Sequence, residues 1–241
     1  MLFKRLDSLT IFFSILFLFL TIGPSTAEEN KQILIPAGIF IMGTESGTNL
    51  ELPLHEVKLK AFYLDRFEIT NKDYEGFEPG HRRSSSSPCD QCPVTLVNWK
   101  EALAYCTSRG ARLPTEAEWE HAARGPGGQD YSFGNISDSS KGRFGLPFKS
   151  GADVVDSLKP GGFGLYHMSG NVWEWVADWL APYPEGSVEN PKGPQSGLRK
   201  VVRGGSWYNH DYYIHAGMRF GLHSKVILNS VGFRCARDRS P

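Results

Sequence analysis

No apolar run follows residue 22, neither sign of charge predominates, and the 241 residues contain neither long helical patterns nor a βα alternation. Each absence excludes something. A membrane-spanning helix needs about 20 apolar residues, so the body of the chain is expected to have no span. With 26 basic and 26 acidic residues, nothing marks a face for nucleic acid or for anionic lipid. Without βα units, a doubly wound parallel sheet is excluded, and no internal repeat is evident. Cysteine is scarce, at four residues.

The N-terminus has a definite pattern. "MLFKR" is a basic start, "LTIFFSILFLFLTI" (9–22) an apolar core and "STA" (25–27) a small-residue exit. Residues 1–27 are therefore read as a signal peptide cut after Ala27. The alternative, an uncleaved anchor, is disfavoured by the 14-residue length of the apolar core. Residues 28–241 are then expected to form one exported domain, periplasmic or secreted. The 26 glycines, 15 prolines and six tryptophans of the whole chain suggest a loop-rich fold held by aromatic packing.

Along that domain, "ILIPAGIFIMG" from Ile33 reads as two strands broken at Pro36-Ala37-Gly38, and "HEVKLKAFYLDRFEIT" (55–70) as another strand pair. "TNKDYEGF" has Thr70 or Asn71 as a helix cap. Residues 78–93, Ser-rich and bounded by proline, read as a loop. "NWKEALAYCTSRG" (98–110) is a helix stopping at Gly110, and "LPTEAEWEHAARG" (113–125) is one with the capping box Thr115/Glu118, ending at Gly125. The glycine-rich stretch 126–164 offers only "VVDSL" as a strand.

Candidate chemistry concentrates in "RGGSWYNHDYYIHAGMRF" (203–220), crowded with hydrogen-bonding aromatics and imidazoles. His210, Asp211 and His215 could ligate a metal or transfer protons near neutral pH. The five-residue spacing of the histidines separates them on either a strand or a helix. A polar wall for a ligand is the preferred reading, with metal binding and structural hydrogen bonding as alternatives. In an exported chain the four cysteines read first as disulfides. Cys89 and Cys92, in "CDQC", are a near-neighbour pair for which a disulfide, redox chemistry or metal binding stay open, although no thioredoxin-like βα context surrounds them.

Five blocks, "IPAGIFIMG", "RLPTEAEWEHAARG", "GLYHMSGNVWEWVADW", "VVRGGSW" and "GFRCARD", stand in an order that resembles the formylglycine-generating enzyme (sulfatase-modifying factor) family across about residues 33–238. The resemblance implies a single α+β domain of the C-type-lectin-like kind, loop-rich and often stabilised by calcium. Founding members oxidise a sulfatase cysteine to formylglycine with O2 and copper held by two cysteines. Those positions are Asn209 and Ile214 here, and neither can replace a soft thiolate, so copper is not expected.

The family's cavity wall maps onto Trp119, Trp173, Ser206, His210 and Tyr213, with Ser230 in place of an asparagine. The expectation is a cavity that binds a peptide, a small molecule or another exported protein without copper chemistry. The alternatives are a periplasmic maturation or oxidation enzyme with rebuilt chemistry, and a lectin-like interaction module. The resemblance also implies a calcium held by the side chain of His167, the carbonyls of Gly170 and Val172 and the carboxylate of Glu174. His167 offers nitrogen where a hard cation prefers oxygen, and the competing reading pairs Glu174 with an arginine beneath the tryptophans. A family disulfide maps onto Cys106 and Cys235.

Overall fold

The computed structural model describes residues 31–45 and 47–239. Pro36 has no N–H to continue a ladder, and it separates β1 (Gln32–Ile35) from β2 (Gly38–Met42). The next run likewise gives β3 (His55–Leu59) and β4 (Phe62–Asp65). Within each run the two strands do not pair with one another, although β2 pairs with β3. β1 and β10 (Ala236–Asp238) both run antiparallel to β4, whereas β3 lies between antiparallel β2 and parallel β6 (Val188–Glu189). Each break thus sends the chain from one sheet to another.

A four-stranded sheet positions the candidate site. Its order is β8 (Arg219–Leu222), β7 (Lys200–Arg203), β5 (Trp173–Trp179) and β9 (Val231–Phe233). β5 escapes periodicity because its first four residues, Trp173 to Val176, are all buried, so "WEWV" shows no in-out alternation. The expected strand at "VVDSL" is not formed. There the backbone turns, with Ser157 N–H donating to the Val154 carbonyl at 3.1 Å while Val155 is tucked inside.

Three α-helices are present among the described residues. α1 (Asn71–Glu75) is capped by the Thr70 side chain, α2 (Trp99–Ser108) by an Asn98/Glu101 capping box and α3 (Glu116–Arg124) by Thr115/Glu118. One apolar cluster joins Ile35, Val57, Leu64, Val176 and Val201; another joins Val97, Tyr105, Leu113, Trp175 and Phe233. The result is an α+β fold with short elements and long loops. The expected leader at 1–27 lies outside the described residues, among which no helix is long and apolar enough to cross a membrane.

Candidate functional site

Neighbouring residues of β5 point to opposite faces, which divides the candidate residues into two groups. Trp173 is 7% exposed, and its Nε1–H donates to Asn209 Oδ1 at 3.0 Å. Glu174 points the other way, into the core. The turn after β7 brings residues 204–214 back over the sheet. Gly204 and Gly205 there have φ of 92° and 72°, and a Cβ on Gly205 would sit 2.5 Å from Ile214 Cγ2. Only glycine lets the buried Ile214 pack so closely.

Asn209 is the hub of the first group. Besides Trp173, its Oδ1 accepts from Ser206 N–H at 3.0 Å and Ser206 Oγ at 2.6 Å. The Ser230 carbonyl accepts from Trp173 N–H at 2.9 Å, and its Oγ lies 3.4 Å from the Tyr208 hydroxyl. Trp173, Ser206, Asn209 and Ser230 therefore do come together. His210 is exposed and leads into a short 3-10 turn (Asp211–Tyr213) with Tyr213 also exposed.

Several expected members sit elsewhere. Trp119 is fully buried beneath β5, with Nε1–H bonded to Glu174 Oε2 at 2.8 Å, so it supports the sheet and lines no accessible wall. His215 is buried while His210 is in solvent, so the two histidines do not face a common ligand. Burial, with Arg203 next, pushes the His215 pKa down and keeps the ring neutral. No cluster of three or more His, Cys, Asp or Glu suited to a metal occurs among the described residues.

The residues of the expected calcium site are engaged otherwise. Glu174 is held by Arg234, whose Nε and Nη2 reach its two oxygens at 2.7 Å each. His167 Nε2 lies 3.2 Å from both Ser157 Oγ and the Val154 carbonyl. Burial first, then the Arg234 charge, pushes its pKa to about 4, so it is a neutral ring beside a guanidinium. The bonds of Gly170 and Val172 to the Gly204 carbonyl and Glu68 Oε1 are made by their N–H groups and do not occupy the carbonyls the resemblance implies as ligands, so the fit turns on Glu174 and His167. A hard cation needs free anionic oxygen, and Arg234 already occupies that role toward Glu174, so this donor set does not fit calcium.

An apolar rim borders the Asn209 network and was missed in the sequence. Phe148, 56% exposed, lies 5.1 Å from the Tyr208 ring, and Phe220, 45% exposed, lies 6.2 Å from Trp173. Phe220 sits outward on β8, a signal that alternation could have supplied. Nothing local marks Phe148, because its segment is placed by non-local backbone bonds: Gly145 N–H to the Asn209 carbonyl and Leu146 N–H to that of Trp207. The arrangement presents stacking rings around buried polar groups, which suits a ligand more than proton transfer. All four cysteines are in disulfides, Cys89–Cys92 and Cys106–Cys235.

Comparison with known proteins bears on this geometry. A family model described as "Sulfatase-modifying factor enzyme 1-like domain" matches residues 19–239. The chain is 32% identical to formylglycine-generating enzyme of Mus musculus, over 92% of this chain and 79% of that protein. It is 29% identical to a mouse protein named "Inactive C-alpha-formylglycine-generating enzyme 2", over 87% of this chain and 86% of the relative. Among solved structures, Treponema denticola variable protein 1 superposes with a TM-score of 0.77 at 25% identity, covering 86% of this chain and 95% of that one.

Proposed function

We propose, from the premise that the chain belongs to the sulfatase-modifying factor enzyme 1-like family, that it is an exported member that binds a peptide or small ligand over Trp173 without making formylglycine by copper chemistry. The observation that carries this reading is the state of Asn209 and Ile214. Where the resemblance expects two thiolates, the first position is an amide whose oxygen already accepts three hydrogen bonds. The second is a fully buried hydrocarbon packed on Gly205. Cu(I) selects soft sulfur, which neither residue supplies, and the disulfides leave no thiolate elsewhere among the described residues.

The support for ligand binding is the rim. Phe148 and Phe220 are exposed beside a polar floor of Tyr208, Asn209 and Ser230, an arrangement in which rings give contact area and polar groups set orientation. Calcium at Glu174 is not part of the proposal, because the Arg234 ion pair takes its place. The test is mass spectrometry of a sulfatase-type cysteine peptide incubated with the full chain, copper, reductant and O2. No copper-dependent aldehyde is expected. Robust aldehyde formation that requires copper would refute the proposal.

A further inference from the structure

A groove of about 600 Å³, apart from the Trp173 surface, runs beside β2. Consecutive strand residues point to opposite faces, so a groove lined by Ile39, Phe40 and Ile41 together follows the edge of the strand and not one face. β2 is an edge. From Gly38 opposite Leu59 to Met42 opposite His55 it pairs with β3, and no strand pairs with its other side among the described residues.

Edge strands of soluble proteins are ordinarily blunted by lysine, proline or a bulge. β2 reads Gly-Ile-Phe-Ile-Met, with Ile39 and Ile41 60% and 53% exposed. Across the groove the charge is acidic. The Asp130 side chain is 63% exposed and Glu45 is exposed, whereas Arg124, the groove's one cation among its lining residues, is paired with Glu120 at 2.8 Å and approaches Asp130 only at 4.0 Å. In the floor, His121 is only 7% exposed, and its Nε2 has no hydrogen-bond partner. Its ring is held between Phe40 and Phe163, at 5.0 and 5.6 Å between ring centres.

We propose that this groove takes an extended segment of a partner protein, rich in aliphatic and basic residues, which adds as a strand to the open edge of β2. The main chain of the segment would continue the β2–β3 ladder, its aliphatic side chains would cover Ile39 and Ile41, and its cations would face Asp130 and Glu45.

The probe is a capped peptide alternating lysine and valine, with a glutamate-valine peptide as control, titrated into the full chain and followed by amide NMR. Saturable shifts at Gly38–Met42 are expected with the basic peptide and not with the acidic one. Ile41→Lys and Asp130→Lys, both at exposed positions, should each weaken binding by roughly tenfold or more. The proposal is overturned by absence of saturable binding, by equal binding of both peptides, by affinity indifferent to the variants, or by a concentration-dependent dimer without peptide, which would make a second copy the occupant.

Discussion

At Asn209, where the resemblance implies a metal-binding cysteine, a single side-chain oxygen organises the residues around it. Asn209→Ala would leave Trp173 Nε1 and Ser206 without their acceptor. Orphaned buried donors cost about 1–3 kcal/mol, so urea denaturation should show a loss of that size; an unchanged midpoint would deny Asn209 its organising role. His167 gives a pH dependence. Burial holds its pKa at about 4 in the folded chain, against about 6.5 when unfolded. Between these values the unfolded chain binds the extra proton, so its contribution, about 3 kcal/mol, is full above the upper value and lost as pH falls through the window. Asp178 works in the opposite sense: its pKa is pushed up to about 7, mainly by burial and then by Glu116, so its contribution fades as pH rises from about 4 towards 7. His167→Asn, which keeps a residue tolerant of the local φ of 53°, should flatten the acid limb of stability between pH 6.5 and 4. An acid limb as steep as the parent's would show that this ring does not set it.

Among the elements, α3 shows what the sequence discloses and what it hides. Its start at Thr115/Glu118 and its stop at Gly125, with φ of 63°, follow from capping chemistry alone. Its interior does not, because "EAEWEHAAR" resembles a helix with a charged solvent face, yet all nine residues are buried. The reason lies far along the chain. Arg203 on β7 pairs with Glu116 and Glu120, Arg219 on β8 pairs with Glu116, and Arg124 pairs with Glu120. Burial opposes the Glu120 charge, but Arg203 and Arg124 outweigh it and lower its pKa. Glu120→Ala would take the partner carboxylate from Arg124 and leave Glu116 alone to balance both Arg203 and Arg219, a net buried positive charge, and a loss of about 3–5 kcal/mol in chemical denaturation is expected. A loss below 1 kcal/mol would mean that water or relaxation replaces the pair. β5 was hidden for a related reason: a strand buried on both faces shows no alternation. The "VVDSL" segment misled in the other direction, since two adjacent valines suggest a strand but are consumed in a turn.

At the scale of the whole molecule, the two disulfides differ in what they constrain. Cys106–Cys235 spans 129 residues and ties α2 to the strand region before β10, whereas Cys89–Cys92 spans three. Chain-entropy arguments give about 5 kcal/mol for the long loop and about 2 for the short one. Cys106→Ala with Cys235→Ala should therefore lower the melting temperature more than Cys89→Ser with Cys92→Ser; the reverse order would show that the short loop organises the domain. The Trp173 site draws on β5, the turn after β7, the segment around Gly145 and Ser230, so its candidate residues could be named from their order in the chain while their bonding could not. That bonding is the basis for the central claim, that the position of a copper dithiolate is filled by Asn209 and Ile214. The most direct test is competitive Cu(I) titration of the oxidised full chain against a chromophoric chelator, with the Asn209→Cys/Ile214→Cys variant in parallel. The parent is predicted to withdraw no copper from the chelator, and one equivalent bound tightly by the parent would contradict the account.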